Sequence, residues 1–342
     1  MIVTYFYDNE ITEKIKEKGK VHIYSHGDFD GICSAALFIS AFVPRAEGNI
    51  NNPSIMIKDV NYNMEKEWKD YPFDKSAFNI CLDFPIANGL DLWVDHHRTG
   101  RGQTDIPLPT YSCFDENAPA AVHVLAKLIN KYNKPYIEAN KKDLGEYLHW
   151  AKVIDGANYD NVMQVMRPTD KAILFDLCFK LLKKPYDFFT HQLVRAGLDF
   201  DKLMADNPLF RSGGAKGASE AWKSFFYMKE HGECTDSGLI VVDMIGSSLP
   251  FARYAPWLAF EKMFPKICMT SYNLGKSGIG ISLSRNPFLR EWKKTVDLSK
   301  VAETFGGGGH ADASGINCKN KEQAYDVLQK AGEMIEKQLT EA

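Results

Sequence analysis

The sequence predicts an α/β protein with two domains: an N-terminal domain built on a parallel sheet and extended by helices, and a smaller C-terminal domain of mixed α/β type. Three observations lead to this prediction. Short apolar runs of strand length alternate with a helical stretch over the first 95 residues, which is typical of a parallel sheet. A long, largely helical region comes next, and the strand pattern then returns. The chain has 342 residues, a length that allows about two domains.

The N-terminal sheet is predicted from four apolar segments, which are VHIYS (21–25), SIMIKDV (54–60), AFNICLD (77–83) and GLDLWVD (89–95). Two segments have a helical pattern instead, CSAALFISAF (33–42) and APAAVHVLAKLINKY (118–132). Pro119 stands near the start of the second helix, where proline is well tolerated because the first N–H groups have no partner within the helix. Strands that alternate with helices predict parallel pairing.

The region from residue 137 to about residue 230 has a helical pattern with two interruptions. The first interruption is KKP at 183–185. The second is FRSGGAKGAS at 210–219, which contains three glycines and is predicted to be a loop or hinge. We therefore divide the chain into a first domain at 1–165, a helical connector at 166–234 and a second domain at 235–342.

The second domain is predicted to combine strands with helices. Strand patterns fall on LIVVDMI (239–245), KICMTSY (266–272), GIGISLSR (278–285) and ADASGINC (311–318). Helical patterns fall on PFARYAPWLAFEKMF (250–264), VDLSKVAETF (296–305) and KEQAYDVLQKAGEMIEKQL (321–339).

The bulk composition favours an ordinary globular protein. The net charge of −3 argues against a protein that coats long nucleic acids electrostatically. Seven cysteines, an odd number with no CxxC pair, favour reduced thiols over disulfides or a zinc site. The N-terminus lacks the pattern of a signal peptide, and no apolar run reaches membrane-spanning length. We therefore expect a cytoplasmic protein with no membrane partner.

Acidic and histidine side chains follow three of the predicted strands and end one helix. They are His26, Asp28 and Asp30 in HGDFDG, Asp83 in CLDFP, Asp95, His96 and His97 in WVDHHRTG, and Asp155 in KVIDGAN. The carboxyl ends of parallel strands converge on one crevice, so we expect these side chains to meet. Crowded carboxylates repel one another and are costly to bury, and a cation would remove this conflict.

Each of these motifs has an ordinary explanation when it is taken alone. An Asp-x-Asp pair is usually a solvated turn, and a single aspartate after a strand is usually a cap. The whole set, with every member after an apolar run, instead favours a metal site. A calcium loop of the EF-hand type is excluded, because the twelfth position counted from His26 is Leu37 rather than glutamate.

The motifs SHGDFDG, CLDFP, VDHH and VID, in this order, resemble the four motifs of the DHH phosphoesterases. FGGGGHADASG at 305–315 resembles the glycine-rich motif of the DHH-associated domain. The resemblance covers roughly residues 20 to 318 and so includes both predicted domains. The compact HGDFDG is closer to the form in RecJ-like exonucleases and one type of nanoRNase than to the longer motif of other nanoRNases and family II pyrophosphatases.

The resemblance implies a site for two metal ions. One ion would be held by His26, Asp28 and Asp83. The other would be held by Asp30, Asp83, His96 and Asp155, with Asp83 bridging the two. Carboxylates combined with imidazoles suit Mn²⁺, with Mg²⁺ as a possible substitute, and such an ion pair can activate water and neutralise a phosphate.

The resemblance also implies roles for residues that hold no metal. Asp95 would orient the histidines, and His97 would face the substrate phosphate as a ligand or proton donor. In the C-terminal domain, the nucleotide would be gripped across a cleft. The residues implied there are Arg285, which would point at the nucleotide, Gly306, Gly307, Gly308 and Gly309, which would admit its backbone, and His310, which would contact a phosphate.

Two C-terminal patterns leave alternatives open. The run GGGGH could be a flexible linker, although its place between a predicted helix and a predicted strand favours a loop that approaches a phosphate closely. The stretch RNPFLREWKK could be a solvated face or a short base-stacking platform, since it interleaves Arg285, Arg290, Lys293 and Lys294 with Phe288 and Trp292.

We expect an Mn²⁺-dependent phosphoesterase that cuts short oligonucleotides to mononucleotides. The alternatives within this class are a RecJ-like single-strand DNA exonuclease, a cyclic dinucleotide phosphodiesterase and a nucleotide 3′-phosphatase. A nucleic-acid-binding module without catalytic activity is the alternative from a different class.

Overall fold

The structure, a computed structural model, describes residues 9–43, 53–61, 64–97, 105–250, 252–274, 278–289 and 296–341. The chain forms two compact units. The N-terminal unit consists of Met1–Asn158 with Lys171–Gly213, and the C-terminal unit of Tyr159–Asp170 with Gly214–Ala342. Domain edges at residues 165 and 234 stay a prediction.

The N-terminal unit is built on a five-stranded sheet in which every pair of neighbours is parallel. The predicted α/β class with an N-terminal parallel sheet is therefore confirmed. The strand order is β2-β1-β3-β4-β5. The strands are β1 (Lys20–His26), β2 (Ser54–Val60), β3 (Phe78–Leu82), β4 (Leu92–Asp95) and β5 (Tyr111–Phe114).

The same unit contains helices, several of which contact the sheet, and the first of them precedes β1. In the N-terminal unit they are α1 (Glu10–Lys18), α2 (Phe29–Phe42), α3 (Glu65–Trp68), α4 (Ala121–Tyr132), α5 (Lys134–Ala139), α6 (Lys141–Asp155), α8 (Lys171–Leu181), α9 (Tyr186–Arg195) and α10 (Phe200–Asp206). Helix α7 (Val162–Met166) belongs to the C-terminal unit.

Helix α2 is buried along its whole length and begins four residues before the predicted start. The side chain of Asp28 causes the early start, because its Oδ1 accepts a hydrogen bond from Gly31 N at 3.0 Å and so caps the helix. Asp30 consequently lies in the first turn of α2, directly beyond the end of β1.

The prediction of a loop or hinge at 210–219 is wrong, because these residues lie inside one helix, α11 (Pro208–His231). Gly213 serves packing there. A Cβ atom on Gly213 would lie 2.6 Å from Cys178 Sγ of α8, closer than two such atoms can approach. Glycine therefore lets the two helices approach each other, and the helix accepts its conformational cost.

The predicted helix at 250–264 is shorter than expected. The described residues form only α12 (Ala255–Ala259) and a 3₁₀ turn at Glu261–Met263. Pro256 explains the late start, because proline lacks the N–H that a helix interior needs and is tolerated only in the first turn.

The C-terminal unit contains a mixed six-stranded sheet of order β10-β11-β9-β8-β7-β6. Only β7 and β8 pair in parallel. The strands are β6 (Gly232–Cys234), β7 (Leu239–Asp243), β8 (Ile267–Asn273), β9 (Ile279–Arg285), β10 (Gly308–His310) and β11 (Ala313–Cys318). The helices predicted at 296–305 and 321–339 are present as α13 (Leu298–Thr304) and α14 (Lys321–Thr340), and both share a core with this sheet.

No helix in the described ranges combines the length and the hydropathy that crossing a membrane requires.

Candidate metal centre

The HGDFDG segment turns from β1 into α2 and sends its side chains in different directions. His26 ends β1, and its Nδ1 lies 2.7 Å from Asp28 Oδ2. Phe29 is buried, and its ring packs against those of Phe175 and Phe200. Asp30 is buried as well. The phenylalanine thus anchors the turn, while the residues on either side of it bring two carboxylates to the end of the strand.

Asp30 joins distant parts of the chain. Its carboxylate accepts hydrogen bonds from the backbone N–H groups of Ala121, at 2.5 Å, and Val122, at 3.1 Å. These N–H groups belong to the first turn of α4, whose own cap, Ala120, offers no side-chain acceptor. Asp30 therefore satisfies the start of α4 and is fixed in place by it.

Asp83 follows β3 and is held in a left-handed backbone conformation, with φ at +57°. Its N–H donates to Val94 O of β4 at 2.9 Å. Both of its carboxylate oxygens are buried, and neither has a hydrogen-bond donor within the described part of the chain. A buried carboxylate in this condition is costly unless a positive charge compensates it.

The segment after β4 sets the orientation of two histidines. Asp95 Oδ1 accepts hydrogen bonds from His96 N at 2.8 Å, from His97 N at 3.1 Å and from His97 Nδ1 at 2.8 Å. His96 Nδ1 lies 3.1 Å from Ala118 O and must carry the proton to bond a carbonyl. This tautomer turns the Nε2 lone pair of His96 towards the acids.

Two groups of candidate ligands result. In the first, His26 Nδ1 lies 2.7 Å from Asp28 Oδ2 and 3.8 Å from Asp83 Oδ2. In the second, His96 Nε2 lies 3.7 Å from Asp155 Oδ2 and 3.9 Å from Asp30 Oδ2. Asp83 Oδ1 is 3.6 Å from that same Nε2, so the two oxygens of Asp83 face different groups.

The structure therefore brings together all the residues proposed as metal ligands. Within each group, one potential ligand atom per residue lies within 4.8 Å of the others. Asp83, His96 and His97 form a third group under the same criterion, with His97 Nδ1 3.4 Å from Asp83 Oδ1. Asp95 Oδ1 is closer to this Nδ1, at 2.8 Å, so His97 is held by Asp95 more closely than by Asp83.

The pKa values of the acids reflect their crowding. Burial, with the charges of Asp30 and Asp28, raises the pKa of Asp83 well above its ordinary value. Burial and the Asp28 carboxylate raise the pKa of Asp30 to about 7. Burial alone would also raise the pKa of Asp28, but the adjoining His26 outweighs that effect and lowers it.

These residues fit a pair of divalent cations. Within this cluster, the ion-pair partners recorded for Asp28, Asp30 and Asp83 are histidines. Asp83 stands between the two ligand groups, and neither of its buried oxygens accepts a hydrogen bond from the described residues. A cation could therefore bind to each oxygen. Carboxylates with some imidazole are the ligands that Mn²⁺ and Mg²⁺ accept.

The glycine-rich run of the C-terminal unit forms a hairpin rather than a linker. Gly308 and Gly309 lie in β10, which pairs with β11. A Cβ atom on Gly307 would lie 2.2 Å from Gly315 O, and Gly309 has φ at +136°. Gly306 also has a positive φ, at +73°. The backbone geometry thus requires glycine at three of the four positions, leaving this edge of the hairpin without side chains.

Arg285 ends β9 and is buried, with 9% of its surface exposed. Its Nε lies 2.8 Å from Asp312 Oδ1, and its guanidinium donates to the carbonyl of Val296. These contacts tie the arginine to the segments on either side of the glycine-rich run. His310 ends β10. Of the proposed base-stacking stretch, Arg290, Trp292, Lys293 and Lys294 lie outside the described residues.

Tyr186 also contacts the candidate centre, together with Ser25, and the sequence motifs gave no indication of Tyr186 or of this pairing. Tyr186 begins α9, in a segment that matches no motif. Its hydroxyl reaches the end of β1. A serine at a strand end and a tyrosine about 160 positions away have no sequence signal that would pair them.

Comparison with known proteins supports the resemblance in the motifs. The model of the DHHA1 domain matches residues 267–337, which run from β8 to α14. A search of curated proteins found no significant match to the sequence.

Three solved structures have a similar fold. The pGpG-specific phosphodiesterase PggH from Vibrio cholerae is 15% identical, with a TM-score of 0.64 over 94% of this chain and 99% of that one. The DHH domain of a member of the s1p family of ribosomal proteins is 12% identical, with a TM-score of 0.61 and coverage of 98% and 94%. Exonuclease RecJ bound to manganese is 12% identical, with a TM-score of 0.54 and coverage of 95% and 92%.

At these identities the likeness to the solved structures is one of fold. That fold extends over nearly the whole chain, and the DHHA1 match falls where the glycine-rich motif lies. The fold and the domain match thus support the resemblance seen in the motifs, and the chain carries a DHHA1 domain at residues 267–337.

Proposed function

We propose that this protein is a metal-dependent phosphoesterase that hydrolyses the phosphodiester bonds of short oligonucleotides to mononucleotides, with Mn²⁺ as its metal. The observation that carries the proposal is the position of Asp83. It lies between two groups of ligand atoms, with both oxygens buried and without a donor among the described residues.

The metal centre assigns a task to each acid and histidine. His26, Asp28 and Asp83 would hold one ion, and Asp30, Asp83, His96 and Asp155 the other. When bound, two such ions would neutralise the substrate phosphate and lower the pKa of the attacking water. Asp30 keeps its position through α4, and His96 keeps its tautomer through Ala118 O, so the chain presents its ligand atoms already oriented.

His97 is proposed to act on the substrate. Its Nδ1 is 2.8 Å from the buried Asp95, which directs the ring and leaves Nε2 as the atom to meet a phosphate oxygen or the departing oxygen. A positioned imidazole can donate a proton at this point of the reaction. Asp95 would orient the ring and stabilise its protonated form.

The DHHA1 domain is proposed to bind the rest of the nucleotide. Gly306, Gly307, Gly308 and Gly309 present backbone without side chains, which suits the close approach of a phosphate. His310 and Arg285 are the proposed charged contacts. A short substrate is favoured by the net charge of −3, which offers little attraction for long nucleic acids. It is also favoured by the likeness to PggH, since pGpG denotes a chain of two guanosine nucleotides.

A product time course tests this proposal. Protein treated with EDTA should be inactive, and Mn²⁺ should restore hydrolysis of 5′-labelled and 3′-labelled RNA and DNA oligomers of graded length. We expect dinucleotides to be cut faster than oligomers of twenty nucleotides. An Asp83→Asn variant purified identically controls for contaminating nucleases.

Other results would select another function. Preference for long single-stranded DNA would favour a RecJ-like exonuclease, and activity confined to cyclic dinucleotides or to 3′-phosphates would favour those alternatives. Binding without hydrolysis at any length, in protein loaded with Mn²⁺, would identify a module that is catalytically silent.

A further inference from the structure

The helical segment at 171–213 matches none of the motifs, yet it packs with the N-terminal unit. Its helix α9 lies against α2 and β2. Helix α2 carries Asp30 in its first turn and is capped by Asp28. The segment therefore lies next to the turn that supplies ligands to both proposed ions.

The hydroxyl of Tyr186 reaches the end of β1. It donates a hydrogen bond to His26 O at 3.0 Å and lies 2.8 Å from Ser25 Oγ. Because the hydroxyl has a single proton, which goes to the carbonyl, Ser25 Oγ must be the donor in the second bond. Tyr186 and Ser25 are both buried, so the two hydrogen bonds are shielded from water.

The carbonyl of His26 is enclosed from its other side by α2. A Cβ atom on Gly31 would lie 2.0 Å from His26 O. The turn from β1 into α2 is therefore closed so tightly that only glycine fits there. Tyr186 and Gly31 together leave the His26 backbone little room to move.

A second contact ties the same turn to the helical segment. The ring of Phe29 lies 6.1 Å from that of Phe175 in α8 and 5.6 Å from that of Phe200 in α10. Phe29 stands between Asp28 and Asp30 in the chain. The segment thus holds the turn at the peptide of His26 and again between the two acids.

We propose that Tyr186 is a positioning residue of the metal centre, which sets the affinity for the ion held by His26 and Asp28. Its hydroxyl fixes the backbone from which both side chains extend, so its loss lets these ligands spread while Asp30, His96 and Asp155 stay in place. This inference depends on the metal centre of the proposed function, but not on which substrate is hydrolysed.

The test is the affinity for Mn²⁺ of Tyr186→Phe, measured by calorimetry on metal-free protein. Two backgrounds separate the ions: Asp155→Asn removes a ligand of one, and Asp28→Asn removes a ligand of the other. In the Asp155→Asn background, we expect Tyr186→Phe to weaken binding of the ion held by His26 and Asp28 about tenfold. This is the lower end of the loss usually seen when a residue that supports a metal ligand is removed. In the Asp28→Asn background we expect a change below about threefold.

Tyr147→Phe is the matched control. Tyr147 is also buried in the N-terminal unit, and its hydroxyl also donates to a backbone carbonyl, that of Cys33, at 2.8 Å. This carbonyl lies in the body of α2, away from the end of β1. Tyr147→Phe should leave the affinity of both ions within about twofold. If the two tyrosine variants weaken Mn²⁺ binding equally, Tyr186 only stabilises the fold, and the proposal is overturned.

Activity supplies a further readout. For Tyr186→Phe, hydrolysis should fall at limiting Mn²⁺ and return to near the wild-type rate at saturating Mn²⁺. Unchanged affinity, or a loss of activity that excess metal does not restore, would contradict the assignment. If Tyr186→Phe does not fold, Ser25→Ala removes the neighbouring hydrogen bond and should give a smaller change of the same pattern. A wild-type protein that binds two ions without hydrolysing any oligonucleotide would refute the proposed function but leave this test valid.

Discussion

The two units differ in how they treat buried charge. In the N-terminal unit, Asp83 is buried with neither oxygen hydrogen-bonded by the described residues. In the C-terminal unit, the buried Arg285 is held by Asp312 and by the carbonyl of Val296. The negative charge of the acid cluster therefore needs a cation to compensate it. The positive charge of Arg285 is compensated by Asp312 of its own unit. Damage to the two regions should consequently have different effects on metal binding.

The largest expected effect comes from Asp83→Asn. The substitution keeps the shape of the side chain, and asparagine tolerates the left-handed backbone found here. It removes a charged ligand from both ions, so Mn²⁺ affinity should fall by more than about a hundredfold. This is more than is usually lost when a residue that only supports a ligand is removed. Activity should fall at least as far.

The same variant should make the metal-free protein more stable at a pH above the raised pKa of Asp83, because it then removes an uncompensated buried charge. Thermal unfolding after exhaustive chelation measures this effect. Asp176→Asn is the control, since Asp176 is a buried aspartate of the same unit that pairs with Lys180 instead. It should leave metal binding intact and should not stabilise the protein. Normal metal content in Asp83→Asn would contradict the bridging role.

The next largest effect is expected in the C-terminal unit. Arg285→Ala and His310→Ala should each lower kcat/KM for a dinucleotide by roughly tenfold to a thousandfold, from the loss of a charged hydrogen bond and of substrate alignment. Metal content should stay normal. A minimal chromogenic phosphodiester should be affected much less, because it offers no second phosphate or base to bind.

Asp312→Ala sharpens this prediction. It removes the ion-pair partner of Arg285 but keeps the arginine, which still donates to the carbonyl of Val296. Because the arginine is buried, the variant should be less stable than the wild type, so its kinetics are measured well below its unfolding temperature. We expect a loss below about threefold on the dinucleotide. If Asp312→Ala and Arg285→Ala cause equal losses, Arg285 supports the hairpin and makes no direct contact with the substrate.

His97→Ala tests the edge of the metal centre. Turnover should fall by at least about tenfold while metal content stays near normal, because the proposed partner of this imidazole is the substrate. The measurement combines steady-state kinetics with metal analysis of the purified variant. Because Asp83, His96 and His97 also form a possible ligand group, a parallel loss of metal and activity would make His97 a ligand.

The strand-end acids were predictable from the sequence because their positions follow from local patterns. Each comes after an apolar segment, and parallel strands bring such positions to one edge of the sheet. Contacts between distant elements had no such signal. The hydrogen bonds from α4 to Asp30 and from Tyr186 to His26 join residues about 90 and 160 positions apart, and nothing in either local sequence indicates its partner.

The error at 210–219 has a related cause. Three glycines favour a loop when local preference is considered alone. The structure uses Gly213 for the close approach of α11 to Cys178 in α8, which is a tertiary contact. Packing of this kind can override the local preference of a helix.

The smallest expected effect concerns the pH dependence that follows from the raised pKa values of Asp30 and Asp83. The pKa of Asp30 in the metal-free folded protein is raised to about 7, and that of Asp83 is raised well above its ordinary value. A carboxyl group whose pKa is raised on folding stabilises the fold most below its unfolded pKa, and this contribution disappears as pH rises through the folded pKa. Through Asp30, the metal-free protein should therefore lose stability as pH rises from about 4 to about 7, while Mn²⁺ should protect it increasingly over this range.

Metal binding at pH 6 must displace the protons that these carboxyl groups hold, because only the ionised forms are good ligands. Calorimetric titrations with Mn²⁺ in two buffers of different ionisation enthalpy should reveal the release of about one proton or more at pH 6, and fewer at pH 8. The Asp30→Asn variant should release fewer protons than the wild type at pH 6, which assigns part of the release to this group. Identical heats in the two buffers at pH 6 would mean that the acid cluster is already ionised without metal. The N-terminal site would then tolerate its buried charges without a cation, and it would no longer differ from the C-terminal unit in this respect.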